Sequence, residues 1–240
     1  MPKKQLKFVG QNVLRVDGIE KVTGKAKFTG DLKIPGMLYG RILRSPYPHA
    51  RIVSIDTSQA EALPGVAAVL TAADISDVDP YYSGRPVIAI KKVRYAGEPV
   101  AAVAAEDQET AEEALSLISV SYEELPAAVG LDGALRKGAP LIHENLSDNI
   151  CSHEHVEKGN VEQGFAESDE IFEDTFTFPM VYHYAMEPHS VIADFNDEGI
   201  TVWSSAQHPF QVRGDLAKIF GLHPTKVRII IPFLGGGFGS

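Results

Sequence analysis

The residues best suited to chemistry come last in the chain. Residues 227–233 are strongly β-branched and read as a strand, which leads into Gly235-Gly236-Gly237-Phe238-Gly239-Ser240. Three glycines after a strand expose consecutive backbone N–H groups with no Cβ in the way. Such a loop can approach a phosphate or oxyanion closely. The spacing is not the dinucleotide fingerprint: with Gly235 and Gly237 as the first pair, the third glycine position holds Ser240. Nor is it a P-loop, because no Lys-Ser/Thr pair follows in the required place. A tight turn is the plain alternative, and an unrelated phosphate-binding α/β protein is another.

Two other features carry donor groups. Cys151, His153 and His155 alternate, so in a strand they would share a face, with His143 as a conceivable fourth ligand for zinc. They fall in an irregular stretch, and no metal site is expected there. Glu98 stands in a Gly-Glu-Pro turn and reads as a residue of the fold rather than of catalysis.

The elements that must position these groups are mostly short strands, with two good helices. Residues 37–43, 50–56, 66–70, 100–105 and 120–124 read as strands. Ser45-Pro46-Tyr47-Pro48 must break the first, because two prolines remove two backbone donors. Asp107 caps a helix whose apolar residues Ala111, Ala114, Leu115 and Ile118 follow helical spacing. Strand–helix–strand order suggests an α+β or α/β domain over residues 18–128. Glycines and Pro140 punctuate residues 129–160, where the domain boundary is expected. Beyond it, Phe172, Phe176 and Phe178 alternate with polar residues, as in a half-buried strand over residues 171–179. Residues 200–204 read as a strand. A helix starts near Pro209, with Val212, Leu216, Ile219 and Phe220 as its apolar stripe and Gly221 as its stop.

Composition excludes several classes. Hydrophobic residues make up 44% and charged residues 22% of 240 residues, which is ordinary for a globular chain. The net charge of −10 argues against a general nucleic-acid binder. A single cysteine excludes an intramolecular disulfide framework. The sequence has no apolar run of membrane-spanning length and no signal peptide, so a soluble cytoplasmic protein is expected. Charge is uneven: residues 1–51 hold eleven Lys/Arg and three acids, and residues 154–174 hold eight acids and one lysine. Two solvated surfaces explain this, and docking faces for partner subunits are permitted by it.

An ordered set of short stretches resembles the N-terminal part of the molybdenum-binding subunit of the xanthine dehydrogenase/aldehyde oxidase family. Gly24-Lys25-Ala26-Lys27-Phe28-Thr29-Gly30-Asp31, Gly40-Arg41-Ile42-Leu43-Arg44-Ser45-Pro46 and His49-Ala50-Arg51-Ile52 come first. Leu63-Pro64-Gly65-Val66, residues 93–101 with Gly97-Glu98-Pro99, and residues 120–126 follow. These resemble the family's a/b hammerhead domain. Met186-Glu187-Pro188-His189, Trp203-Ser204-Ser205-Ala206-Gln207 and the glycine loop resemble the opening of its molybdopterin-binding domain.

The resemblance implies an α+β fold: a hammerhead domain followed by the opening portion of a molybdopterin-binding α+β domain. The expected division is an N-terminal segment 1–17, the hammerhead 18–128, a linker 129–160, and the start of the cofactor domain 161–240. It implies that the Gln207 amide hydrogen-bonds an oxo ligand of molybdenum, since an amide N–H donates without adding charge. Gly236, Gly237 and Phe238 would lie against the cofactor, with the Phe238 ring helping to wall the substrate pocket. Glu187 and His189 match a signature near the active site, where they would hold the pocket wall. Gly159-Asn160 stands where many relatives have Gly-Asp, a local departure.

The family hydroxylates an N-heterocycle or aldehyde with water as the oxygen source, using molybdenum–molybdopterin, with [2Fe–2S] clusters and FAD expected on partner subunits. Its glutamate general base lies far downstream of the positions matched here, so no catalytic residue is expected in this chain. The expectation is therefore a split or truncated molybdenum subunit, catalytic only with a complementing continuation chain, an iron–sulfur subunit and an FAD subunit. The alternative is a non-catalytic folding or subunit-interaction module with no cofactor of its own.

Overall fold

The computed structural model describes residues 7–75 and 86–239. Among these the strands are β1 (Tyr39–Arg44), β2 (Ala50–Asp56), β3 (Val66–Thr71), β4 (Lys92–Val93), β5 (Pro99–Ala105), β6 (Ser119–Glu124), β7 (Val191–Asn196), β8 (Gly199–Ser204) and β9 (Val227–Ile230). The helices are α1 (Gly18–Val22), α2 (Ser58–Glu61), α3 (Gln108–Leu117), α4 (Gly130–Leu135), α5 (Val161–Ala166) and α6 (Pro209–Ile219). The fold is a mixture of helices and sheets, as an α+β chain requires. It divides into two units, one of residues 35–181 and one of residues 1–34 with 182–240. Among the described residues no helix is long and apolar enough to cross a membrane.

In the first unit β5 is the centre of an antiparallel sheet ordered β1-β5-β3. Its small residues Val100, Ala101, Val103 and Ala105 are at most 1% exposed, which fits a strand covered on both faces. Helix α3 packs on this sheet. Its start is fixed by Asp107, whose carboxylate accepts a hydrogen bond of 2.7 Å from the Thr110 N–H. Ala111 and Ala114 face inward with no exposure. Alanines there let the helix backbone come close to β5, and Ala60, Ala101, Val103 and Ile118 complete that core.

A second antiparallel sheet is ordered β4-β2-β6, with Ala50, Ala89, Val93 and Val100 beneath it. The two prolines after Ser45 separate β1 from β2. The Ser45 hydroxyl accepts from the Tyr47 N–H at 3.0 Å and holds this break. Glu98 serves the fold here. It is 4% exposed. Its carboxylate accepts a short 2.5 Å hydrogen bond from the Arg94 N–H. Its backbone carbonyl accepts from Ser45 N, while Gly97 N donates to Ser45 O. The turn before β5 is thereby tied to the end of β1.

Residues 134–150 have little regular structure but are not unconstrained. The Asn149 side chain accepts from Ile142 N and donates to the carbonyls of Ala134 and Pro140. Lys92 on β4 forms an ion pair of 2.5 Å with Glu144.

The strand expected over residues 171–179 is not formed. Those residues are irregular, and Phe172, Phe176 and Phe178 are 82–86% exposed. Alternation names the face a strand would bury, but a strand also needs a neighbour for its ladder, and none pairs with this segment among the described residues.

The second unit is built around a sheet ordered β7-β8-β9. β7 and β8 form an antiparallel hairpin, and β8 and β9 are parallel. Helix α6 makes the crossover between them and packs on β9. Pro209 occupies its first turn, where a missing N–H does no harm, and Ala217 is its buried contact. β9 is shorter than the expected residues 227–233, because Pro232 cannot donate to a ladder and the chain leaves the sheet. The N-terminal 3₁₀ turn Thr29–Asp31 lies against β7.

Candidate functional site

The residues singled out in the second unit gather beyond the carboxyl ends of the parallel strands β8 and β9. Open α/β sheets bind ligands there, because loops diverge from neighbouring parallel strands and leave a crevice. Gln207 follows β8. The glycine loop follows β9.

Ser205, just before Gln207, is 6% exposed and is locked to Ser190. The Ser190 N–H donates to the Ser205 hydroxyl at 3.0 Å, and the Ser205 N–H donates to the Ser190 carbonyl at 3.2 Å. The end of β8 is therefore fixed to the segment that carries Glu187, Pro188 and His189.

Glu187 reaches the glycine loop directly. Its Oε2 accepts a 2.7 Å hydrogen bond from the Gly235 N–H. Its other oxygen, Oε1, is buried with no hydrogen-bond partner among the described residues. A Cβ on Gly235 would lie 2.5 Å from the Glu187 Cβ and 3.3 Å from the Phe28 ring, so only glycine fits. Phe28 itself packs on Phe233, with ring centroids 5.9 Å apart. Together Phe28, Gly30, Asp31, Met186, Glu187 and Pro188 line a cavity of about 290 Å³ beside Gly235.

Two residues further on, Gly237 passes over Gln207. A Cβ there would fall inside the Gln207 side-chain amide. Gly236 has φ +129°, and its missing Cβ would meet Phe238 at 3.0 Å and Ala185 at 3.1 Å. Phe238 adopts φ 54°, a left-handed conformation unusual for a bulky residue, and its side chain is 76% exposed. Strain of this kind clusters at ligand sites and switch regions.

The structure thus brings Gln207, Gly236, Gly237, Phe238 and Glu187 to one loop cluster. His189 is exposed, with its ring 5.7 Å from that of His183. Phe28 joins the cluster, although the sequence does not single it out as a site residue. Its signal is its place in the stretch from Gly24 to Asp31, which names a motif but not a contact. Cys151, His153 and His155 lie exposed in irregular chain, and His155 faces Glu157 at 3.5 Å. Among the described residues no group of three His, Cys, Asp or Glu side chains is placed to hold a metal ion.

Two family models match in the order that the residues suggest. Residues 23–126 match the a/b hammerhead domain of aldehyde oxidase and xanthine dehydrogenase. Residues 142–240 match the molybdopterin cofactor-binding domain. The chain is 43% identical, over 95% of its length, to 31% of a probable xanthine dehydrogenase subunit of Bacillus subtilis. It is 39% identical, over 99% of its length, to 56% of the nicotinate dehydrogenase large molybdopterin subunit of Eubacterium barkeri. Among solved structures, quinoline 2-oxidoreductase from Pseudomonas putida 86 superposes on 96% of this chain with a TM-score of 0.89 and 33% identity. The matched part is 31% of that chain. The chain spans about a third to a little over half of these relatives. It carries both domains in sequence and belongs to the xanthine dehydrogenase/aldehyde oxidase family, as the N-terminal part of its molybdenum-binding subunit.

Proposed function

We propose that this chain supplies the first part of the cofactor site of a molybdenum hydroxylase acting on an N-heterocycle or aldehyde, with water as the oxygen source. One observation carries the reading: the glycine loop is packed so closely, against Glu187 and Phe28 at Gly235 and against the Gln207 amide at Gly237, that neither glycine has room for a Cβ. Glycines at 236 and 237 add no side chain of their own, so a bound group can come close to the loop backbone, which suits an anionic pterin cofactor. The residues therefore fit molybdopterin, in agreement with the matched domain.

In this role the Gln207 amide would donate a hydrogen bond to the bound cofactor without contributing charge. Gly236 and Gly237 offer backbone donors. Phe238, with its ring exposed, forms part of the substrate wall. When bound, molybdenum–molybdopterin supplies the two-electron redox chemistry, and the protein supplies orientation and hydrogen bonds. We assign no general base among these residues. Partner subunits carrying [2Fe–2S] clusters and FAD would take up the electrons. The names of the relatives point to purines, nicotinate and quinoline as first substrates to try.

Molybdenum and pterin analysis tests the reading, first on the chain alone and then on the assembled enzyme containing it. Stoichiometric molybdenum and pterin in the assembled form, with turnover of an N-heterocycle or aldehyde, is the expected result. A stable assembly without molybdenum or pterin would overturn it in favour of an interaction module.

A further inference from the structure

We infer that Glu187 is the positioning residue that sets the glycine loop relative to Gln207, a role that rests on reading that loop as part of the molybdopterin site. The chain leaves the β9 ladder at Ile230, and the loop beyond it needs another anchor. Glu187 provides one from 48 residues away, through the 2.7 Å hydrogen bond from the Gly235 N–H to its Oε2. A carboxyl oxygen at this distance is a well-placed acceptor for a backbone N–H. The other oxygen has no hydrogen-bond partner among the described residues, so the side chain is committed to the loop.

The same carboxylate is fixed at its base. Ser190, three residues on, is paired in both directions with Ser205, two residues before Gln207. Glu187 and Gln207 therefore stand on one clamped scaffold. The loop is held at Gly235 by the first and rests at Gly237 on the second. The Phe28 ring also crowds Gly235, 3.3 Å from where its Cβ would lie, so a ring and a carboxylate both hold the loop start. Displacement of this anchor shifts the Gly236 and Gly237 N–H groups against whatever they bind, with the protein core untouched.

The test is made in the assembled enzyme, with Glu187→Ala, Glu187→Gln and Glu187→Asp. Misplacement by about 1 Å costs on the order of a hundredfold in rate. Glu187→Ala is expected to lower kcat about tenfold to a hundredfold, with little change in KM and with molybdenum content and melting temperature close to wild type. Its molybdenum(V) paramagnetic resonance signal should shift. Glu187→Gln keeps an acceptor oxygen at the same reach and should return kcat to within a few-fold of wild type. Glu187→Asp, one methylene short, should behave like alanine. If the alanine variant does not assemble, the Gln and Asp variants carry the comparison. Wild-type kcat and resonance signal in all variants overturn the inference, and so does a Gln variant as impaired as the Asp variant. A wild-type assembly without molybdenum fails the functional reading instead, and is seen before any variant is made.

Discussion

The Gly237 backbone lies directly against the side-chain amide of Gln207, with no space between them for a methyl group. Its backbone is not in the left-handed region, so the requirement for glycine is steric, set by one neighbour. Gly237→Ala should therefore push either the loop or the amide aside, at a cost of about 1–3 kcal/mol for overpacking. Molybdenum content and kcat of the assembled enzyme should both fall. Gln207→Ala removes the obstructing atoms, so in the double variant the molybdenum content should recover toward that of Gln207→Ala alone. Additive losses in this double-mutant cycle would show that the two residues do not meet in the working enzyme.

Gln207→Ala by itself separates chemistry from folding. Gln207 is half-buried at the mouth of the sheet, not in its core. The variant should assemble and melt like wild type, within about 1 kcal/mol, because it removes no core packing. Turnover should fall at least tenfold, the effect of losing one directed donor at a reacting centre. Equal kcat in variant and wild type would remove Gln207 from the site.

Local signals make much of the fold legible in the sequence. The second strand is bounded by Pro48 and carries Ile52 and Ile55 on its inner side, and its expected and observed limits coincide. Asp107 announces its helix because capping is a three-residue event. What escapes are elements and contacts set from afar. Strand β7 is not among the expected strands, although Asn196 marks its turn, its side chain accepting from the Glu198 N–H at 2.9 Å. The Phe172–Phe178 alternation is visible, but alternation cannot supply a partner strand. At the site, the glycine triplet tells of a close approach without saying to what. The two neighbours are Glu187 and Gln207, and no spacing rule links residues so far apart to Gly235 and Gly237.

Glu98 offers a test of the fold apart from the cofactor. It is buried, and it satisfies the Arg94 N–H in the turn that feeds the central strand β5. Glu98→Ala leaves that N–H without an acceptor, a loss of about 1–3 kcal/mol. For a unit of this size each kcal/mol moves the melting temperature by about 2–4 °C. A fall of roughly 2–12 °C follows from these two ranges. Substrate KM should stay the same in whatever enzyme assembles. A change in KM with an unchanged melting temperature would give Glu98 a role in the site instead.

The linker should respond to acid before the sheets do. Glu144 is held below the ordinary glutamate pKa, first by the hydrogen bond from Lys92 and also by the charges of Lys92 and Arg94. A carboxylate whose pKa is lowered by folding contributes stability above its unfolded value of about 4.3, and that contribution is lost as the pH falls through the folded value. Lys92 is mostly covered on β4, whereas Glu144 is 68% exposed, so screening keeps the tie modest. Its release should free residues 142–150 locally and leave β5 and α3 intact. Hydrogen exchange measured from pH 6 down to about pH 3, relative to the intrinsic rate at each pH, should show a loss of protection at Ile142 and its neighbours, whose backbone is held through Asn149, before any change in β5. Glu144→Gln should show that loss of protection already at pH 6, with no further acid step. An acid step that persists unchanged in Glu144→Gln would assign the titration to another carboxylate.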